Sequence, residues 1–526
     1  MNIRDAKQEI VDAVRTYLEK DETGSYEIPV EKQRPLLLMG PPGIGKTAIV
    51  EQAARECGVN LVSYTITHHT RQSAIGLPFI EKKQYGGREY SVTEYTMSEI
   101  VASIYDQIER SGIKEGILFL DEINCVSETL APTMLQFLQY KTFGTHRVPE
   151  GFVIVTAGNP ARYNRSVRDL DIVTLDRVRR IDIEADYEAW KSYARDAGVH
   201  GAVLAYLEIK PQNFYKVQAD VNGKRFVTAR GWEDLSRSMR VCEKLGKPVT
   251  AGLVSQYLQD RETAEDFAAY YELYNKYKNV YRIREILDGS VPENTDDLKK
   301  APFDEKLSLI GLLTDSLDRE FRKAAEDKRI QQELFGYLKQ LREDLKKGSA
   351  GVQNAGTAAP AGTQNADAPV PAGARTASEL LSKAATSCNA HLQAAEEAGL
   401  LSDTQIREQK KVHMLLSEIQ KKVKEEGNGA PETDYGIVRD WFKTREENRR
   451  QQAVLTGEHL TNSFSFLHDV YGDSQEMVIF LTQLTAGSAS LAFIRDWGND
   501  AYYRYNKLLL LKDRKEELKA EILQLM

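Results

Sequence analysis

Cysteine is scarce in this chain. Cys57, Cys125, Cys242 and Cys388 are the only four in 526 residues, and no two form a CxxC pair. That spacing gives no footing for a disulfide framework or a thiolate zinc site, so free buried thiols in a reducing compartment are expected. Long apolar runs are missing too. A membrane-spanning helix needs about 20 apolar residues, and the longest runs, Met477 to Leu481 and Leu508 to Leu511, stop far short. Asp5, Glu9 and Asp12 interrupt anything that could act as the apolar stretch of a signal peptide. No membrane insertion and a cytoplasmic location are therefore expected. Positive charge is not in excess: the formal net charge is −8. That argues against a general nucleic-acid coat, although it leaves room for a local basic groove. No internal repeat is present.

The apolar fraction of 41% and charged fraction of 28% are ordinary for globular domains. A single core rarely grows beyond roughly 250–300 residues, so at least two domains are expected. Residues 1–34 read as an N-terminal helix and lead-in, with Ile3, Ile10, Val14 and Leu18 at helical spacing. Over 35–185, short apolar strands at 35–39, 61–65, 117–120, 152–156 and 180–183 alternate with helical segments. This is the pattern of an α/β core with a parallel five-stranded sheet and binding loops at the carboxyl ends of its strands. Two hairpins interrupt it, one turning at Gly86-Gly87 and one at Asn222-Gly223. Residues 186–347 are mostly helical and are assigned to a lid. The stretch 348–377 is rich in Ala, Gly, Pro and Thr and lacks aromatics, so a flexible linker is expected. Residues 378–526 then form a separate all-α C-terminal domain. Ser402 and Gln405 make a capping-box pattern before a long helix, and Asp513 to Met526 reads as a closing amphipathic helix.

Residues 40–47 carry the densest chemical signal: Gly40-Pro41-Pro42-Gly43-Ile44-Gly45-Lys46-Thr47 satisfies G-x-x-x-x-G-K-[ST]. Glycines let backbone N–H groups close around a phosphate chain, and the following helix turns its positive end to the anion. Lys46 would supply a point charge to the β- and γ-phosphates, and the Thr47 hydroxyl would ligate Mg²⁺. Further on, Gly116-Ile-Leu-Phe-Leu-Asp121-Glu122 is a buried strand ending in two acids. Asp121 would hold Mg²⁺, directly or through water, and Glu122 would act as general base on the attacking water. ATP and Mg²⁺ are thus the expected ligands. His68-His69 is read as a polar strand end, because adjacent histidines cannot chelate as an i,i+4 pair does.

With these motifs in place the chain resembles the AAA+ ATPases and, within them, the MoxR-like branch, over roughly residues 30–345. The phrase Leu120-Asp-Glu-Ile-Asn124 is similar to that branch's acidic strand end, and Thr156-Ala-Gly-Asn-Pro160 to its sensor 1. The resemblance implies that Asn159 orients the lytic water and touches the γ-phosphate. It implies that Arg177, in Leu175-Asp-Arg177, reaches into a neighbouring subunit as an arginine finger, with Arg180 next in line and Arg179 beside it. Arg162, Arg165 and Arg168 lie just upstream, and some of the arginines around Arg177 read as ordinary surface or subunit-interface charges. Arg230, in Thr228-Ala-Arg230-Gly-Trp232, matches sensor 2, whose arginine reaches back to the nucleotide. The hairpin between Phe79 and Tyr95 falls where the branch carries an insertion facing the pore or the client. One departure is the short segment Gln139 to Glu150, which leaves room only for a reduced hairpin.

The resemblance further implies a homo-oligomer, with a hexameric ring expected. It also implies a protein client and, often, a partner with a von Willebrand factor A domain. The expected activity is ATP hydrolysis that remodels or activates that client. Two alternatives are a nucleic-acid-coupled motor, disfavoured by the acidic total, and a nucleotide-binding scaffold without useful turnover. After residue 376 no catalytic constellation is apparent. Tyr502, Tyr503, Arg504, Tyr505 and Lys507 read as a helix with aromatics on its buried face rather than as a nucleic-acid patch. Partner binding or oligomer organisation is the expected role of that domain.

Overall fold

The computed structural model describes residues 1–68, 76–127, 130–143, 146–163, 172–220, 223–290, 295–355, 376–397 and 399–507. His69, Arg165, Arg168, Asn222 and the stretches 356–375 and 508–526 lie outside the described residues. The last stretch includes both Leu508–Leu511 and the closing helix expected at Asp513–Met526.

Five parallel strands form the central sheet: β1 (Leu36–Met39), β2 (Asn60–Thr65), β5 (Gly116–Asp121), β8 (Phe152–Gly158) and β9 (Arg179–Asp182). Their spatial order is β2-β5-β8-β1-β9. The strands are nearly continuous apolar runs because helices cover both faces. Alternate residues serve opposite faces. Leu36 and Leu38, with Phe119 and Val155, pack against Ile10, Val14, Val50 and Ala53 of the helices Ile3–Leu18 and Lys46–Cys57. Leu37, Leu118, Leu120 and Ile154 pack on the other side against Ile100, Ile104, Met134 and Phe137 of the helices Glu99–Ser111 and Ala131–Tyr140. The Ile3–Leu18 helix starts where Asn2 caps the N–H of Asp5 at 2.9 Å. All five expected strands are present, and the parallel α/β core is the observed one.

Among the described residues three antiparallel pairs lie outside the central sheet. β3 (Pro78–Tyr85) and β4 (Arg88–Tyr95) pair antiparallel around Gly86-Gly87, both left-handed at φ 58° and 79°. β6 (Thr142–Phe143) pairs with β7 (His146–Arg147), the reduced hairpin that the short Gln139–Glu150 segment allows. β10 (Lys216–Asp220) pairs with β11 (Gly223–Val227) ahead of the helix Ala229–Lys244.

The chain divides into two compact units. The first comprises Met1–Ala194, Lys210–Ala268 and Ala394–Ser402; the second comprises Arg195–Ile209, Ala269–Gln393 and Asp403–Met526. The second is helical. Its longest helix, Phe303–Ala355, contributes Ile330, Leu334, Leu338 and Leu341 to a core shared with Leu381, Cys388, Leu416, Ile419 and Val438. Ile330 to Leu345, within the stretch expected to form the lid, therefore share one core with helices that follow residue 376. Composition along the chain marks a linker but carries no information about which helices meet across it. The same helix also runs past Gly348, because extending an existing helix costs far less than starting one. Thr376 and Glu379 cap the helix Ala377–Glu397 reciprocally, at 3.3 and 3.1 Å. Tyr502 and Tyr505 are buried, and Tyr505 stacks on Phe464 at 5.3 Å. Among the described residues no single helix is long and apolar enough to cross a membrane. The bent pair Gln475–Thr485 and Ser488–Trp497 approaches that composition, but Phe480, Leu481, Leu484 and Phe493 are buried in the helical unit.

Candidate functional site

The loop between β1 and the Lys46–Cys57 helix depends on glycine at defined places. Gly43 and Gly45 are left-handed, at φ 72° and 102°. A Cβ on Gly40 would lie 2.8 Å from the Ile183 carbonyl oxygen, and one on Gly43 would lie 2.9 Å from the Thr228 Cβ. Gly45 is the N-cap of the helix, so the free N–H groups of the first turn open into the loop.

Lys46 points back into this cradle. Its Nζ donates to the carbonyls of Gly40 and Pro41, both at 2.9 Å, and to Asn159 Oδ1 at 2.8 Å. Burial pulls its pKa from 10.5 down to about 8; Arg230 adds to the decrease, while Asp121 and Glu122 oppose it. A buried ammonium whose charge is only partly matched is suited to an anion.

The acidic end of β5 lies opposite. Thr47 Oγ1 donates to Asp121 Oδ2 at 3.3 Å, and Asp121 Oδ1 accepts from the Glu122 N–H at 2.8 Å. Glu122 is itself left-handed at φ 58°, an uncommon conformation for a side-chain-bearing residue. That turn carries its carboxylate away from the strand to accept from Thr67 Oγ1 at 2.9 Å. At the end of β8, Asn159 is held by Asn124, whose Nδ2 donates to the Asn159 carbonyl at 2.8 Å.

The Ala229–Lys244 helix meets the loop from another direction. Thr228 caps it by accepting from Gly231 N at 3.2 Å, and the Arg230 N–H donates to the Gly43 carbonyl at 3.1 Å. Tyr215, ahead of β10, donates its hydroxyl to the Pro42 carbonyl at 3.0 Å. The loop is thus hydrogen-bonded to the segment that carries Arg230.

The arginines around β9 separate by partner. Arg179 pairs with Glu9, and Arg180 with Asp182 at 2.8 Å. Among the described residues no carboxylate pairs in this way with Arg177, which is half-buried in the turn after the short helix Ile172–Leu175. Arg162 lies over the Tyr163 ring at 4.8 Å.

The structure therefore brings Lys46, Thr47, Asp121, Glu122 and Asn159 together at the carboxyl ends of β1, β5 and β8, with Arg230 close enough to act on the Lys46 charge. The donor set suits Mg–nucleotide. The hydroxyl of Thr47 and carboxylate of Asp121 are hard oxygen ligands, and the loop amides with Lys46 form an anion cradle. A carboxylate at Glu122 can accept a proton from water, and an amide at Asn159 can orient that water. Sequence reading did not assign a role to Thr67, Asn124, Tyr215 or Thr228. Thr67, Asn124 and Tyr215 act through partners distant in sequence that no motif encodes, whereas Thr228 caps its own helix locally; Asn124 and Thr228 sit inside phrases that the motifs already mark.

Residues 36–179 match the model of the ATPase family associated with various cellular activities (AAA). The match takes in the glycine loop from Gly40, the acids Asp121 and Glu122, Asn159 and Arg177; Arg230 lies beyond it. No curated protein matches the chain.

Proposed function

We propose that this chain, which carries an AAA-type ATPase domain, is a MoxR-like ATPase that works as a ring and spends ATP to remodel or activate a protein client. One observation carries the reading. The charge-bearing residues converge at the ends of β1, β5 and β8, while the Arg230 N–H is hydrogen-bonded to the same glycine loop.

In this reading the loop amides and Lys46 hold the β- and γ-phosphates, and Thr47 and Asp121 hold Mg²⁺. The ion, when bound, neutralises charge developing on the phosphoryl oxygens. Glu122 takes a proton from the attacking water, and Asn159 orients that water. Arg230 senses the nucleotide within the subunit. Arg177, without a carboxylate partner among the described residues, serves the neighbouring subunit as the arginine finger, with Arg180 as its alternate. Any shift of the loop reaches the Ala229–Lys244 helix through the Gly43–Arg230 and Pro42–Tyr215 hydrogen bonds, which links hydrolysis to motion. A hexameric ring places Arg177 at a subunit boundary, and a protein with a von Willebrand factor A domain is the proposed partner. The helical unit presents the client or partner surface.

Phosphate release measured across protein concentration tests the reading. The rate per subunit should rise with concentration and then saturate. Mixing in R177A subunits should poison wild-type turnover. A rate per subunit independent of concentration contradicts the shared site, and stimulation by DNA rather than by a protein fraction contradicts the client class.

A further inference from the structure

Asn124 lies on the same turn as Glu122 and is almost fully buried, with 2% of its surface exposed. Its side-chain amide addresses both backbone groups of Asn159. Nδ2 donates to the Asn159 carbonyl at 2.8 Å, and Oδ1 accepts from the Asn159 N–H at 3.4 Å. The paired ladder between β5 and β8 ends at Leu120 and Thr156. Beyond it, Asn124 takes the place of a strand neighbour, giving a half-buried backbone a donor and an acceptor.

The consequence reaches the Asn159 side chain. Lys46 is a donor only, so the Asn159 oxygen must face it, as it does at 2.8 Å. The Asn159 Nδ2 group is then turned away from Lys46, with two N–H donors to offer an acceptor. Which way they are aimed depends on the backbone at residue 159, and Asn124 grips that backbone. Close approach is part of the arrangement: a Cβ on Gly158 would lie 2.6 Å from Asn124 Oδ1.

We infer that Asn124 is a positioning residue for hydrolysis: it ties the turn bearing Glu122 to the loop bearing Asn159, so that base and water-orienting amide keep one fixed separation. The inference rests on the proposed ATPase reading. It adds a residue that touches neither nucleotide nor water, and it makes Glu122 and Asn159 one mechanical piece. A misplacement of about 1 Å in such a pair costs on the order of 100-fold in rate.

Steady-state phosphate release and nucleotide titration on the full chain test it, using N124A, N124D, N159A and the N124A/N159A double variant, with G158A from the other side. N124D keeps the shape and the acceptor but sets a carboxylate oxygen against the Asn159 carbonyl. We expect N124A and N124D each to lower kcat by at least about tenfold, with KM and nucleotide affinity within about threefold of wild type. The double variant should be no slower than N159A, because Asn124 acts only through Asn159. G158A should reproduce the kcat loss in the wild-type background and do less in the N124A background, where the Asn124 atoms are gone and the close contact left is the flexible Met39 side chain, with Sδ 3.0 Å from the added Cβ. A residue that merely holds the fold would instead lower kcat and affinity together, and its effect would multiply with that of N159A. That multiplicative result overturns the inference, as does unchanged kcat in N124D. If N159A itself leaves turnover intact, the water-orienting role of Asn159 fails and the coupling with it; absence of phosphate release in wild type would instead defeat the underlying ATPase reading.

Discussion

Replacing Gly43 with alanine tests whether the glycine loop and the Arg230-bearing segment form one device. Gly43 sits at φ 72°, and an added Cβ would approach the Thr228 Cβ to 2.9 Å, its Oγ1 to 3.0 Å and its Cγ2 to 3.2 Å. A left-handed alanine costs about 1–2 kcal/mol, and forcing the Thr228 side chain aside costs roughly 1–3 kcal/mol more. The free protein can relax by letting Thr228 move off. Nucleotide requires the loop back in its cradle, so the strain emerges as lost affinity. The sum, about 2–5 kcal/mol, corresponds to a fall in affinity of roughly 30-fold to a few thousand-fold at about 1.4 kcal/mol per decade. T228G removes the obstructing atoms at a cap cost of only a few tenths of a kcal/mol. In the G43A background it should therefore recover the clash share, about fivefold to 100-fold, and leave the backbone share. The assay is titration of a fluorescent ATP analogue with Mg²⁺ into wild type, both single variants and the double. Affinity of G43A within threefold of wild type would refute the argument. So would failure of T228G to rescue it.

Three further outcomes follow from single contacts. Burial holds the Lys46 pKa near 8 against 10.5 in an unfolded chain, so the unfolded state binds more protons between about pH 8 and 10.5 and this lysine's penalty on folding is relieved as pH rises through that window. Bound phosphate favours the charged form, so ATP affinity should fall by up to about tenfold per pH unit above pH 8, and titrations of K46M should lose that slope. T67V frees the Glu122 carboxylate from its hydroxyl donor; basal phosphate release should rise, by roughly twofold to tenfold, if that hydrogen bond restrains the base. In the helical unit, burial raises the Asp318 pKa from 3.8 to about 6, against the opposing pull of Arg322 and Arg195. The stability this group contributes is complete below pH 3.8 and lost as pH rises through 6. D318N should therefore stabilise that unit at pH 8 by up to about 3 kcal/mol, less what the Arg322 attraction supplied. Denaturation at pH 8 and pH 4 should show the gain only at the higher pH.

Much of the core was legible because its physics is local. Runs such as Leu36–Met39 and Ile117–Leu120 are apolar on both faces, and only a doubly covered parallel strand makes use of that. The glycine loop was legible because its chemistry demands a fixed spacing, and the Gly86-Gly87 turn because two left-handed residues are needed there. The sheet order was not legible, since nothing in Leu36–Met39 says that β8 and β9 will flank it. Nor was the grouping of helices: Leu334 and Leu416 lie far apart in the chain, yet belong to one core. At the site, Thr67, Asn124 and Tyr215 escaped because each is an ordinary polar residue whose value comes from a partner distant in sequence. The pairing of Arg179 with Glu9 and of Arg180 with Asp182 likewise required the fold.

The most direct measurement compares wild type with E122Q for ATP binding and for phosphate release under the same conditions. The amide keeps the shape of the Thr67 contact but cannot take a proton from water. The account predicts ATP affinity within about threefold of wild type and phosphate release lowered by at least about 100-fold. Turnover in E122Q equal to wild type would contradict it.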